Sequence, residues 1–175
     1  MAASLLALSV AGQATTVVFG TGGTAGFTGG GLQDGPINVG GVWLTATPWA
    51  SGHGPTPELT VSWDGYGVDS GYRDNTQVDG SGRDEAVVLT FSSPVQVTHI
   101  ELRDFYACCD DVDIFVDGNP ASGPMVGTVF KIRADESYSD FRVRSVDFNA
   151  VPEPASLLTA GLGLGALALL RARRK

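Results

Sequence analysis

The sequence predicts an all-β domain, an antiparallel β-sandwich of jelly-roll-like topology, followed by a single C-terminal transmembrane helix. Three observations carry this. Short runs of Val, Ile, Thr and Phe alternate with polar residues at period two, as in AVVLTF (86–91) and VDIFVD (112–117). Turn-forming segments rich in Gly, Pro and Asp separate these runs, and no amphipathic helical period interrupts them. Residues 155–170 carry no charge and are followed at once by Arg171, Arg173, Arg174 and Lys175.

The strands follow in order. TTVVF (15–19) is a short first strand, and FGTGGTAGFTGGG (19–31) reads as a mobile glycine-rich loop. Gly20-Thr21-Gly22 follows a strand but precedes no helix, which argues against a dinucleotide-binding loop. VWLTAT (42–47) and ELTVSW (58–63) are the next strands, with Trp43 and Trp63 expected in the core. Residues 65–85 form turns throughout and read as one long surface loop. AVVLTF places Val87, Leu89 and Phe91 on one face. In VQVTHIELRDF (95–105) the apolar phase slips between Val97 and Ile100, which predicts a β-bulge. VDIFVD turns Val112, Ile114 and Val116 inward before a Gly118-Asn119-Pro120 turn. VGTVFKI (126–132) and SDFRVRSVDF (139–148) complete about eight strands. In the last, Phe141 and Val143 face the core while Arg142 and Arg144 face solvent.

The chain has 175 residues and a net charge of −8. Residues 15–150 hold 18 acids against 7 bases, a net charge of −11. Such a field repels phosphate backbones and excludes nucleic acid as a partner, leaving divalent cations and neutral sugars as better matches. The body is large enough for one domain with its own core.

Both ends read as targeting segments. Residues 1–14 form a signal peptide, with an apolar stretch from Leu5 to Ala11 and small residues at Ser9/Ala11 or Gly12/Ala14. It lacks a basic n-region, which fits a start upstream of Met1. At the other end, the sixteen residues 155–170 span about 24 Å as a helix, short for a bilayer core of about 30 Å. Local thinning and snorkelling arginines close that gap. The basic tail 171–175 stays cytoplasmic, so the body is exported.

Residues 151–156 read Val-Pro-Glu-Pro-Ala-Ser. The two prolines keep this stretch extended at the membrane face, open to a protease. Pro-Glu-Pro, a short hydrophobic helix and an Arg-rich end, together residues 151–175, resemble the PEP-CTERM sorting signal. The resemblance implies an exported protein of a Gram-negative, exopolysaccharide-producing bacterium, processed by a membrane protease-transpeptidase, exosortase. The motif residues are then Val151, Pro152, Glu153, Pro154, Ala155 and Ser156, and Arg171, Arg173, Arg174 and Lys175 form the membrane stop. VDGSGRDEAVVLTFSSPVQVTHIEL, DDVDIFVDG and FRVRSVDFNAVPEP are also similar to body domains of such proteins, which resemble jelly-roll sugar-binding modules.

Carboxylates cluster at Asp69, Asp74, Asp79, Asp84 and Glu85, and again at Asp110, Asp111, Asp113 and Asp117. Calcium takes six to eight oxygens from such bent acidic loops, and Asp79, Asp84 and Glu85 are the candidate ligands; ordinary surface acidity is the alternative. Cys108 and Cys109 are adjacent. A vicinal disulfide would be strained, because neighbouring Cα atoms lie about 3.8 Å apart, so a bridge between chains and reduced thiols also stay open. Trp49 and Tyr66, placed in loops, are the candidate sugar contacts. The sequence contains no H-E-x-x-H, G-x-S-x-G or P-loop, and its two histidines are His53 and His99.

The reading is an exported cell-surface or exopolysaccharide-matrix protein with a non-catalytic role in adhesion, structure or carbohydrate binding, held only transiently at the inner membrane. The alternatives are a secreted glycan hydrolase, which needs a paired-carboxylate cleft, and a permanently anchored periplasmic binding domain.

Overall fold

The computed structural model describes residues 14–24, 27, 29–71, 76–106, 110–135 and 138–152. The expected signal peptide (all but Ala14), the span 155–170 and the basic tail lie outside the described residues. Within them every paired strand is antiparallel, and no helix occurs.

Eleven strands form in chain order: β1 Thr15–Val18, β2 Asp34–Val39, β3 Val42–Ala50, β4 Glu58–Ser62, β5 Gly65–Asp69, β6 Val78–Asp79, β7 Glu85–Arg103, β8 Val112–Val116, β9 Asn119–Pro120, β10 Met125–Ala134 and β11 Asp140–Ala150. The two runs read separately at 86–91 and 95–105 are one strand, β7, which changes partner across Ser92-Ser93-Pro94; it must bend there, because Phe148, paired with Val97, also meets the Phe91 ring at 4.9 Å. Its first half pairs β3 (Leu44↔Phe91 to Ala50↔Glu85), and its second half pairs β11 (Ala150↔Val95 to Arg142↔Arg103). β10 follows the other edge of β7 around the corner, with a register shift between Gly127 and Val129. β2 and β8 extend the first half, while β1, β5 and β6 line the far side of β11 and β4 lies beyond β5.

The core lies between the two halves. Phe91, at the bend, makes edge contacts with Phe130 of β10 (5.6 Å) and Phe148 of β11 (4.9 Å). Val87, Leu89, Leu44, Ala46, Ile132, Val143 and Val146 fill in around it. The alternation therefore reads correctly in β7, β10 and β11, where Phe141 and Val143 are buried. The bulge also forms where the phase slips: Val97 pairs Phe148 and His99 pairs Asp147, leaving Thr98 unopposed.

Several expectations are corrected. The segment 65–69 is not surface loop but β5, buried from Gly65 to Val68. Its glycines serve close approach rather than turning. A Cβ on Gly65 (φ +119°) would stand 2.2 Å from the Val143 carbonyl oxygen, and one on Gly67 2.1 Å from that of Thr76. β2 escapes a propensity reading because it carries Gly35 and Pro36; as an edge strand it tolerates the proline. The segment 19–31 is pinned rather than mobile where it is described. Phe19 and Phe27 are fully buried, 5.4 Å apart, and Phe19 stacks on Tyr66 at 5.0 Å. Trp43 and Trp63 are not core residues, being 52% and 74% exposed. Trp43 takes the outward phase of β3, and Trp63 sits at the tip of the β4–β5 hairpin.

Arg142 does not face solvent freely. Its side chain is only 11% exposed and its guanidinium reaches Thr60, Thr76 and Asp104. Burial lowers its pKa from the ordinary arginine value against the opposing pull of Asp104 and Asp64. Arg144 donates to the carbonyls of Phe19 and Trp63.

Phe91→Ala is expected to lower unfolding stability by about 3–5 kcal/mol, since the cavity opens where both halves meet. Urea denaturation measures it; a loss below about 1 kcal/mol would show that the bend is not held by this ring.

Candidate functional site

The outer face of the first half is built by strict alternation. In β3, Val42, Leu44 and Ala46 point inward, which leaves Trp43, Thr45, Thr47 and Trp49 outward. Register then places matching residues beside them. Thr47 lies opposite Val88, Val88 opposite Lys131, and Lys131 opposite Phe115. Trp49 lies opposite Ala86, Ala86 opposite Arg133, and Arg133 opposite Asp113. Thr90 stands between Thr45 and Val129.

The result is a strip with aromatic rings at several points. The Lys131 ammonium lies 4.1 Å from the Trp49 ring centre and 4.5 Å from that of Phe115. The Arg133 guanidinium lies 5.2 Å from the Phe115 ring centre. Beside them an apolar groove of about 240 Å³ is lined by Val88, Phe115, Gly118, Val129 and Lys131. Trp43 is six residues from Trp49 on the same face, a separation of about 20 Å. Arg133 is held by Asp84 (3.5 Å), Asp135 (3.0 Å) and Asp113. Burial lowers the Lys131 pKa from its ordinary value; Arg133 adds to this, and Asp113 and Asp84 oppose it.

The sequence-predicted residues fare unequally. Trp49 stands on this strip, although in β3 rather than in a loop. Tyr66 is fully buried and cannot meet a sugar from solvent. It donates to the Asp34 carboxylate, which also accepts from the Gly29 backbone N–H at 2.9 Å. Burial, then the bond to Asp34 and its charge, raise the Tyr66 pKa far above the ordinary phenol value, so the hydroxyl stays a donor.

The calcium trio is not assembled. Glu85 takes the inward phase of β7 and accepts from the Asp79 backbone N–H at 3.2 Å. An Asp79 carboxylate oxygen accepts from Ser81 at 2.8 Å, closing a local turn. Asp84 is turned away, with its carboxylate toward Arg133 and its N–H on the Ser51 hydroxyl. Arg83 fastens the neighbouring loops by donating to the carbonyls of Ser51, Pro55 and Ser70. Among the described residues no group of three His, Cys, Asp or Glu could hold a metal ion. Cys108, Cys109, Glu153, Pro154, Ala155, Ser156, Arg171, Arg173, Arg174 and Lys175 lie outside the described residues. Val151 donates its N–H to the Pro94 carbonyl at 3.1 Å, and Pro152 is exposed.

Sequence reasoning missed Trp43, Phe115, Lys131 and Arg133. The signal was present: a phenylalanine in the outward phase of VDIFVD, and tryptophans at both ends of the outward phase of VWLTATPW.

Residues 150–175 match the PEP-CTERM protein-sorting motif. The motif implies recognition by an exosortase, with export and sorting to the cell envelope or surface. No curated protein and no solved structure matches the chain.

Asp117 belongs to the fold rather than to a metal site. Its carboxylate accepts from the N–H groups of Thr128 (3.0 Å) and Val129 (2.8 Å) and from the Thr128 hydroxyl (3.0 Å), filling the irregularity in β10. Desolvation works to raise its pKa, but these donors outweigh it and hold the carboxyl below its ordinary value. Asp117→Ala should cost about 1 kcal/mol at pH 7, limited by solvent screening, and Asp117→Asn less. A depressed folded pKa contributes stability above the unfolded value of about 3.9 that is lost as pH falls through the folded value. The gap between wild type and Asp117→Ala should therefore narrow in urea titrations from pH 7 down to pH 2.5; a constant gap contradicts this.

Proposed function

We propose that this chain is an exported, exosortase-sorted surface or matrix protein whose body binds glycan without catalysing its cleavage. The observation that carries the reading is the aromatic strip of Trp43, Trp49 and Phe115 on an open sheet face. Aromatic planes suit the C–H faces of sugar rings, and the outward hydroxyls of Thr45, Thr47 and Thr90 suit their O–H groups. The groove of about 240 Å³ is smaller than sites that enclose a whole small ligand, and it fits a polymer lying across the surface. A non-catalytic role is supported by the carboxylates beside this strip: Asp84 and Asp113 are engaged by Arg133, and Asp117 by the Thr128 and Val129 N–H groups, so none of the three stands free toward the groove as an acid–base pair would.

The tail supplies placement. Residues 155–170 would anchor the chain in the inner membrane with 171–175 cytoplasmic, and exosortase would act within 151–156. The body would then pass to the surface or the exopolysaccharide matrix.

Affinity electrophoresis of the purified full-length chain through gels carrying plant, fungal and bacterial polysaccharides tests the binding. Retardation by at least one glycan, weakened about tenfold by Trp49→Ala and by Phe115→Ala with unchanged urea midpoints, is expected. Absence of retardation, or variants that bind like wild type, would sink the reading. Mass spectrometry of the C-terminus from intact cells should find residues 157–175 missing; a full-length mature chain would instead favour permanent anchoring.

A further inference from the structure

Six of the body's seven basic residues fall among the described residues, and five are already answered. Arg83 and Arg144 donate to backbone carbonyls. Arg103 pairs Glu101 at 2.7 Å, Arg142 reaches Thr60, Thr76 and Asp104, and Arg133 is shared by three aspartates. Lys131 differs. Its ammonium rests over two aromatic rings and, among the described residues, makes no hydrogen bond or ion pair. It also forms part of the groove wall with Val88, Phe115, Gly118 and Val129.

We propose that this groove selects an acidic glycan, a polysaccharide carrying uronate carboxylates, with Lys131 receiving one carboxylate while Trp49 and Phe115 take the faces of adjoining sugars. The inference rests on the glycan-binding reading and specifies its ligand class. Three features lead to it. The cation forms part of the wall of an apolar groove, beside Val88, Phe115 and Val129. Asp84 and Asp113 act on Lys131 through their charge but pair with Arg133, and among the described residues no carboxylate forms an ion pair with the Lys131 ammonium. A single ammonium matches an anion that recurs once per sugar, with uncharged ring faces between charges. The body charge of −11 opposes every polyanion at long range, uronate polymers included, and salt screens that repulsion beyond about 10 Å, so the contact with Lys131 is a short-range one. Burial and Arg133 both disfavour the charged form of Lys131, and an incoming carboxylate relieves that penalty.

The test compares two forms of one polymer, polygalacturonate and its fully methyl-esterified derivative, which share a backbone and differ in the carboxylate charge. The full-length chain should bind the free acid about tenfold more tightly than the ester. Lys131→Gln should abolish that preference, and Lys131→Arg should retain most of it. Trp49→Ala should weaken both polymers alike. Equal wild-type affinity for acid and ester, or a preference that survives Lys131→Gln, overturns the acidic-ligand assignment and leaves the glycan reading standing. Failure of the chain to bind this pair overturns the assignment too, and the glycan reading falls only if the wider polysaccharide set also fails.

Discussion

The bend of β7 at Ser92-Ser93-Pro94 is the constraint on which the structure turns. Nineteen residues of one strand serve two halves of the sheet, and every other strand takes its place relative to one half or the other. β3 and β11 lie end to end along the same edge, and β10 follows the opposite edge round the corner. The halves can meet only if something large and apolar fills the inside of that corner. Phe91 does so, touching Phe130 and Phe148 together. The outward aromatic strip follows from this. Once the inward phase of β7 and β3 is committed to the core, Trp43, Thr45, Thr47 and Trp49 have no inward position available.

Arginine has an unusual share in holding the remainder. A glycine-rich chain leaves many loop carbonyls without strand partners, and the guanidinium has five donors in a planar fork. Arg83 collects three such carbonyls and Arg144 two, so segments with few side chains are still fastened to the sheet. Acids have the complementary task. Asp34, Asp79 and Asp117 accept backbone N–H groups where the ladder is interrupted. Much of the carboxylate density that suggests calcium from sequence is therefore the internal wiring of a loop-rich β fold.

What the sequence makes legible is what period two makes legible. The alternation of 86–91, 126–132 and 139–148 identifies strands and their buried faces, and the slip between Val97 and Ile100 identifies the Thr98 bulge, because a broken phase has few other causes. The tail is legible because its three parts follow in a specific order. The rest fails for identifiable reasons. Glycine in 65–69 permits a turn and also permits two backbones to touch, and only the neighbour decides between them. Tryptophan in a strand suggests core by size, yet phase overrules size at Trp43. Tyr66 could not be assigned without Asp34, thirty-two positions away and buried against it. The strip itself needed register across four strands, which no local pattern contains.

The end of β11 has one more implication. Ala150 is the last residue paired in the sheet, opposite Val95, and Val151 is hooked to Pro94 beside it. The folded wall thus stops one residue short of the first proline of the sorting motif, leaving almost no tether between them. An enzyme that severs the chain there must accommodate the whole domain as a shoulder against its own surface. A cut there would remove no rung of the ladder, so the domain would be mechanically the same object before and after it.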